Sequence, residues 1–267
     1  MKKLCTILLV VVMAFSLCAC GAASKLDWDS IYNSTGSEGD YASALKDLEK
    51  NAAQNDAESM YYLGTLYENG YGVEENAAKA AEWYEKAAEL GNADAMYNIA
   101  DCYESGYGVE QDFDKALEWC SKAVELKNLE AMNLMGRMYE YGEGVNQDYD
   151  KAFEWYTKAA DLGNAEAMNN LGVMYEYGEG VDQDYDKAHE WFKKAADLDN
   201  AEAMNNLGLM YEYGEGVDQD YDKAMEWYTK AADLGNAGAM CNIGYMYDCG
   251  KGVDENDEKA VELYNAY

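Results

Sequence analysis

A step of 36 residues constrains this chain more than any other feature. Met60, Met96, Met132, Met168, Met204 and Met240 stand 36 positions apart, and so do Trp83, Trp119, Trp155, Trp191 and Trp227, with Leu263 in the sixth place. The same step joins Tyr67, Tyr103, Tyr139, Tyr175, Tyr211 and Tyr247. It also joins the paired glycines that run from Gly70 and Gly72 to Gly250 and Gly252, each pair followed by valine. A period of this length marks a unit too small to bury its own apolar surface, so its copies must stack into one continuous core. The six units start near residues 56, 92, 128, 164, 200 and 236.

Each unit reads as two helices. In the third, Met132, Met135, Gly136 and Tyr139 fall at i, i+3, i+4 and i+7, which places them on one face of a helix from about Leu129 to Tyr141. Gly142 and Gly144 supply the backbone that ends the helix and turns the chain. Asp148 caps a second helix, Asp150 faces its positive end, and Ala152, Trp155, Tyr156 and Ala159 form its buried stripe. The tryptophans are expected to be the costliest positions, at roughly 3–5 kcal/mol on truncation if fully buried. Residues 40–53 match the second half of a unit, since Asp40, Tyr41, Ala44 and Lys50 precede Asn76, Ala77, Ala80 and Lys86 by one step. They are expected to form an N-terminal cap helix. At the other end the sequence stops in mid-helix at Tyr267, which leaves a stacking face expected to be partly open or covered by a partner.

The first residues have a different character. Lys2 and Lys3 precede an apolar run from Leu4 to Leu17, of signal-peptide length and too short for a comfortable membrane span. The run ends in Leu17-Cys18-Ala19-Cys20-Gly21, which resembles a bacterial lipobox. That resemblance implies cleavage before Cys20 and acylation of its thiol, which would anchor the exported chain in the cell envelope by lipid alone. Residues 1–19 are then the signal peptide, 20–37 a tether and 38–267 the repeat domain.

The formal charge is −32, and loss of Lys2 and Lys3 with the signal peptide makes it −34. Such a surface disfavours nucleic acid and an anionic membrane, and favours a basic or neutral protein or peptide partner. With 49% hydrophobic residues the chain can still bury a core, and the absence of proline suits helices joined at glycines.

The unit resembles the Sel-1-like repeat, a relative of the tetratricopeptide repeat, over about residues 38–267. The residues that carry the likeness are Leu171-Gly172, Tyr175, Gly178-Glu179-Gly180-Val181, Asp184, Lys187-Ala188, Trp191 and Lys194-Ala195-Ala196, with their copies. It implies an all-α, right-handed α/α superhelix whose first helices line a concave groove, and a scaffold that binds peptides or protein surfaces. Carried over residue by residue, the groove pattern falls on Asn169, Val173, Glu176 and Tyr177. One unit earlier it falls on Asn133, Arg137, Glu140 and Tyr141, and one unit later on Asn205, Leu209, Glu212 and Tyr213. The middle position reads Thr65, Asp101, Arg137, Val173, Leu209 and Tyr245, varying where its neighbours hardly change. Two readings stand: an exposed partner-binding site with apolar anchors, or drift on a solvated face. The asparagine side chains have the donors and acceptors to bind the backbone of an extended ligand.

No constellation for catalysis or a cofactor emerges. A cysteine-rich branch of the same family staples its repeats with cysteine pairs and includes members named as β-lactamases, but here those positions hold residues such as Ala88 and Met96. Ser43-Ala44-Leu45-Lys46 matches the β-lactamase nucleophile motif by letters, without the Ser-Asp-Asn or Lys-Thr-Gly that must support it. Cys102 and Cys120 fall in apolar columns on the two helices of one hairpin, so core packing and a disulfide are both open. Cys241 and Cys249 lie about 12 Å apart along one helix, too far to bridge. The single histidine, His189, stands in a column of apolar residues, and one histidine with scattered cysteines makes a poor zinc site. Asp182, Asp184 and Asp186 have calcium-loop spacing, but lysine occupies the sixth place, where glycine is required, and helix capping accounts for them. Weak, non-specific divalent binding to so acidic a surface stays open, and with it a mainly structural or cation-binding role in the envelope as an alternative to the scaffold.

Overall fold

The computed structural model describes residues 38–265, with no account of the side chains at 38–40, 42 and 43. The expected signal peptide, Cys20 and the tether lie outside the described residues, as does the side chain of Ser43. Within them the chain is helical throughout. A cap helix, α1 (Glu38–Ala52), precedes six hairpins: α2 (Ala57–Asn69) with α3 (Ala77–Glu89), α4 (Ala93–Ser105) with α5 (Phe113–Glu125), and α6 (Leu129–Tyr141) with α7 (Tyr149–Asp161). These are followed by α8 (Ala165–Tyr177) with α9 (Tyr185–Ala196), α10 (Ala201–Tyr213) with α11 (Tyr221–Asp233), and α12 (Ala237–Cys249) with α13 (Asp257–Asn265). Each helix packs on its sequence neighbours, so the hairpins stack in chain order as a solenoid.

Local chemistry sets the helix ends. Asp56, Asn92, Asn128, Asn164, Asn200 and Asn236 cap the first helices, each side-chain oxygen accepting the N–H three residues on. Asn76, Asp112, Asp148, Asp184 and Asp220 do the same for the second helices. These bonds, from the Lys151, Lys187 and Lys223 N–H groups, hold the Asp148, Asp184 and Asp220 carboxyls below their ordinary range. Each of these lysines also lies over the tyrosine of the preceding helix, at 5.0–5.1 Å for Lys151 on Tyr139, Lys187 on Tyr175 and Lys223 on Tyr211. One aspartate and one lysine thereby tie the two helices of a hairpin together.

The second turn glycine fixes the stacking. Gly180 has φ +66°, and a Cβ there would stand 2.4 Å from the Tyr149 carbonyl oxygen of the preceding repeat. Its copies Gly108, Gly144 and Gly216 press on the same backbone position one repeat back. Only glycine meets both demands.

The core departs from one expectation. The five tryptophans of the repeats are half-buried rather than enclosed, each covered on its ring by the lysine three residues on, from Lys86 over Trp83 at 4.4 Å to Lys194 over Trp191 at 3.6 Å. Lysine stems can cover an aromatic face and keep their charge in water, so the tryptophan needs no full enclosure. The enclosed column is the next residue: Tyr84, Cys120, Tyr156, Phe192 and Tyr228 are all inaccessible to solvent. The large rings fit because they lie on helix glycines. A Cβ at Gly64, Gly136, Gly172 or Gly208 would meet the ring of Tyr84, Tyr156, Phe192 or Tyr228 at 2.4–2.5 Å. In the second hairpin Ala100 takes the glycine place and the small Cys120 takes the ring's, so the chain itself contains the compensated pair.

Candidate protein-binding face

The residues that the groove pattern selects lie along the first helices α6, α8 and α10. Tyr141, Tyr177 and Tyr213 form a regular row and are 63%, 66% and 59% exposed, unusually open for so large a side chain. Tyr141, Asn169, Val173 and Asn205 come together in one depression of roughly 450 Å³, floored also by Asn170 and Asn206 and bounded by Glu140 and Glu202. Val173 and Leu209 are half-buried, each with one side against the core. Arg137 is turned aside, paired with Glu104 of the preceding repeat.

The asparagines depart from the ligand-binding role expected of them. Asn133 and Asn169 are only 4% exposed, and their side-chain oxygens accept hydrogen bonds from Asn170 Nδ2 and Asn206 Nδ2, each at 3.0 Å. Asn205 accepts likewise from Asn242 at 2.8 Å. A buried amide must be satisfied, and here the next repeat satisfies it. The asparagines form a ladder that ties stacked repeats together, and their acceptors are already engaged.

A second layer of polar bonds lies beneath the tyrosines. Tyr84 donates its hydroxyl hydrogen bond to Glu68 at 2.7 Å, Tyr228 donates to Glu212 at 2.8 Å, and Tyr156 donates to Glu140. Burial, together with the glutamate beside each, drives these phenols far above their usual range. The fourth hairpin lacks the hydroxyl, because Phe192 stands in that column, and Glu176 there is raised above 4.5, first by burial and then by the charge of Glu215. Glu212 is enclosed and also accepts from Lys251 Nζ at 2.9 Å.

Cys102 and Cys120 are buried free thiols, so the disulfide left open by the sequence is not formed. Cys120 donates through Sγ to the Ala131 carbonyl at 3.1 Å, and burial pushes both thiols up to about 12. His189 stands edge-on to Tyr211 at 5.9 Å in the interface between repeats, with its pKa lowered by burial. Among the described residues no group of three or more His, Cys, Asp or Glu could hold a metal, and no helix is long and apolar enough to cross a membrane. Two columns escaped the sequence reading. Leu90, Leu126, Leu162, Leu198 and Leu234 form an exposed apolar row at the ends of the second helices, and the half-buried Glu143, Glu179, Glu215 and Lys251 stand between the turn glycines. Periodicity finds a column but does not say which side of it faces water.

An uninterrupted stack of helix hairpins, with a row of open tyrosines along its first helices, defines an α/α solenoid of the tetratricopeptide-like class. The Sel1 repeat family profile matches residues 57–92, 93–128, 129–164, 165–200, 201–236 and 237–266. The chain belongs to the Sel1-repeat family, whose members generally serve as protein–protein interaction scaffolds. It is similar to a Sel1 repeat protein from Oxalobacter formigenes, at 32% identity over 88% of this chain and 93% of that one, with a TM-score of 0.77. It also resembles a protective antigen of uropathogenic Escherichia coli with an SLR fold, at 33% identity over 90% of this chain and 51% of the antigen, with a TM-score of 0.68. An immunity protein from Pseudomonas aeruginosa shares 30% identity over 70% of this chain and 71% of that one, with a TM-score of 0.56. Among curated proteins no relative matches.

Proposed function

We propose that this chain is a scaffold that holds an extended segment of a protein partner along its first helices, and that a lipid on Cys20 tethers it in the cell envelope. The observation that carries the binding reading is the row of exposed tyrosines, Tyr141, Tyr177 and Tyr213, beside a depression that contains Asn169, Val173 and Asn205. Tyrosine gives a large, stiff contact area at small entropic cost and is a common energetic anchor at interfaces. Val173 and Leu209 supply apolar contact between the tyrosines, while the asparagine ladder keeps the surface rigid. The strong negative charge favours basic or neutral partners over nucleic acid.

Selection of a random peptide library against the chain, repeated against Tyr141→Ala/Tyr177→Ala/Tyr213→Ala, tests the reading. These tyrosines are open to solvent, so the variant is expected to retain its helical circular dichroism and lose most of the selected peptides. Peptides that bind both forms equally would remove the groove from consideration. The anchor is tested separately: Cys20→Ala should release the chain from the membrane fraction, and a variant still sedimenting with membranes would rule out the lipid.

A further inference from the structure

The residue between the two turn glycines has a place in the binding face that the repeat logic leaves unexplained. Because the second glycine lies against the first residue of the preceding repeat's second helix, this residue is carried over that repeat's glutamate and tyrosine. At the last junction it is Lys251. Its ammonium group donates to Glu212 at 2.9 Å, lies 4.6 Å from the Tyr245 ring, and is 5.8 Å from the rings of both Tyr213 and Tyr221. The chain thus shows what this junction accommodates: a cation held by one enclosed carboxylate within aromatic walls, where charge-assisted bonding and ring quadrupoles add. At an earlier junction Arg137 fills the corresponding role, paired with Glu104 beside Glu143.

Two junctions between these keep two of the three aromatic walls, have an aliphatic side chain in place of the third, and have no cation. In one, Glu179 stands near Glu140, Tyr141 and Tyr149, with Val173 at the position of Tyr245. In the other, Glu215 stands near Glu176 and Tyr177, with Tyr185 at the position of Tyr221 and Leu209 at that of Tyr245. Among the described residues, no lysine or arginine pairs with any of these four glutamates. Carboxylates half-shielded from water gain from a cation brought to them, and at the second junction burial and the charge of Glu215 already disfavour the ionised Glu176. The exposed Tyr141 and Tyr177 leave each junction reachable from solvent.

We propose that these two junctions are slots for lysine or arginine side chains on an extended basic segment of the partner protein, set one repeat apart. The proposal rests on the scaffold reading above and gives its ligand a chemistry. At the neighbouring junctions Arg137 and Lys251 occupy the same kind of slot from within the chain, closing it to the partner.

The test copies what the last repeat already does. Glu179→Lys/Glu215→Lys supplies a cation from within the chain at each slot, and Glu154→Lys/Glu190→Lys makes the same charge change on exposed positions of the second helices. Binding of a fluorescein-labelled oligolysine peptide is read by anisotropy at fixed ionic strength. The slot variant is expected to weaken binding by about tenfold or more and the second-helix variant by about twofold or less. Lys251→Glu, which opens a third slot, should tighten it. Equal weakening by both charge pairs would mean bulk attraction alone and overturn the slots, as would no binding to the unmodified chain. If the lysine pair unfolds the chain, Glu179→Gln/Glu215→Gln must show the same selectivity. Should the tyrosine variant lose its selected peptides while the two charge pairs act alike, the scaffold stands and the slots fall.

Discussion

Phe192→Tyr is a substitution that the other repeats have already designed. In three hairpins the enclosed ring has a hydroxyl that donates to the glutamate at the end of the first helix, with distances of 2.7 Å at Tyr84 and 2.8 Å at Tyr228. Phe192 lies against Gly172 as the tyrosines lie against their glycines, so an added hydroxyl is expected to be directed at Glu176. A hydrogen bond to a charged group contributes about 1.5–3 kcal/mol net. Burying the new hydroxyl offsets part of that, which leaves an expected gain of about 1–2 kcal/mol. For a chain of this size the midpoint should rise by about 2–6 °C.

The pH dependence has a definite sign. Glu176 is raised above 4.5 in the folded chain, so its ionised form costs stability at neutral pH, and that cost disappears as the pH falls below the ordinary value. The new donor favours the ionised form. Its benefit should therefore be full near neutrality and shrink as the pH falls through the carboxylate range. Thermal unfolding followed by circular dichroism at pH 7 and pH 4 measures this. Hydrogen exchange should localise the added protection to α8 and α9, since stability in stacked repeats is mainly a nearest-neighbour property. An unchanged or lowered midpoint at pH 7, alongside a neutral Tyr156→Phe, would refute the claim that these hydroxyl–carboxylate bonds support the hairpins.

Gly208→Ala should destabilise by about 1–3 kcal/mol, because the new methyl would lie 2.4 Å from the Tyr228 ring, and Tyr228→Cys in the same chain should recover part of the loss. Denaturant midpoints of the single and double variants check this. Asp199→Gly should raise stability by about 0.5–1 kcal/mol, since Asp199 holds φ +60° in the column where Gly91, Gly163 and Gly235 take the left-handed turn, and urea unfolding would detect the shift. A thiol reagent at pH 8 should label Cys249, which is exposed, within minutes, while Cys102 and Cys120, raised to about 12, should react only on unfolding. Rapid native labelling of Cys102 would contradict its burial.

The sequence alone determined the class of fold, the register of the hairpins and the helix ends. Each of these depends on chemistry within a few residues: a capping carboxylate such as Asp148, a left-handed glycine such as Gly142, an apolar stripe such as Met132 to Tyr139. Repetition then gave stacking, since no hairpin could cover itself. Tertiary structure decided which member of a column is enclosed, because enclosure depends on what the neighbouring repeat places opposite. Trp155 and Tyr156 are adjacent and equally aromatic, yet the tyrosine takes the core because Gly136 lies opposite it. For the same reason Asn169 was legible as a first-helix position but not as a bonded rung of a ladder, and nothing near Lys251 in the sequence marks it as an ammonium held against Glu212. Partners 37 and 39 residues away meet only when one repeat is laid on the next.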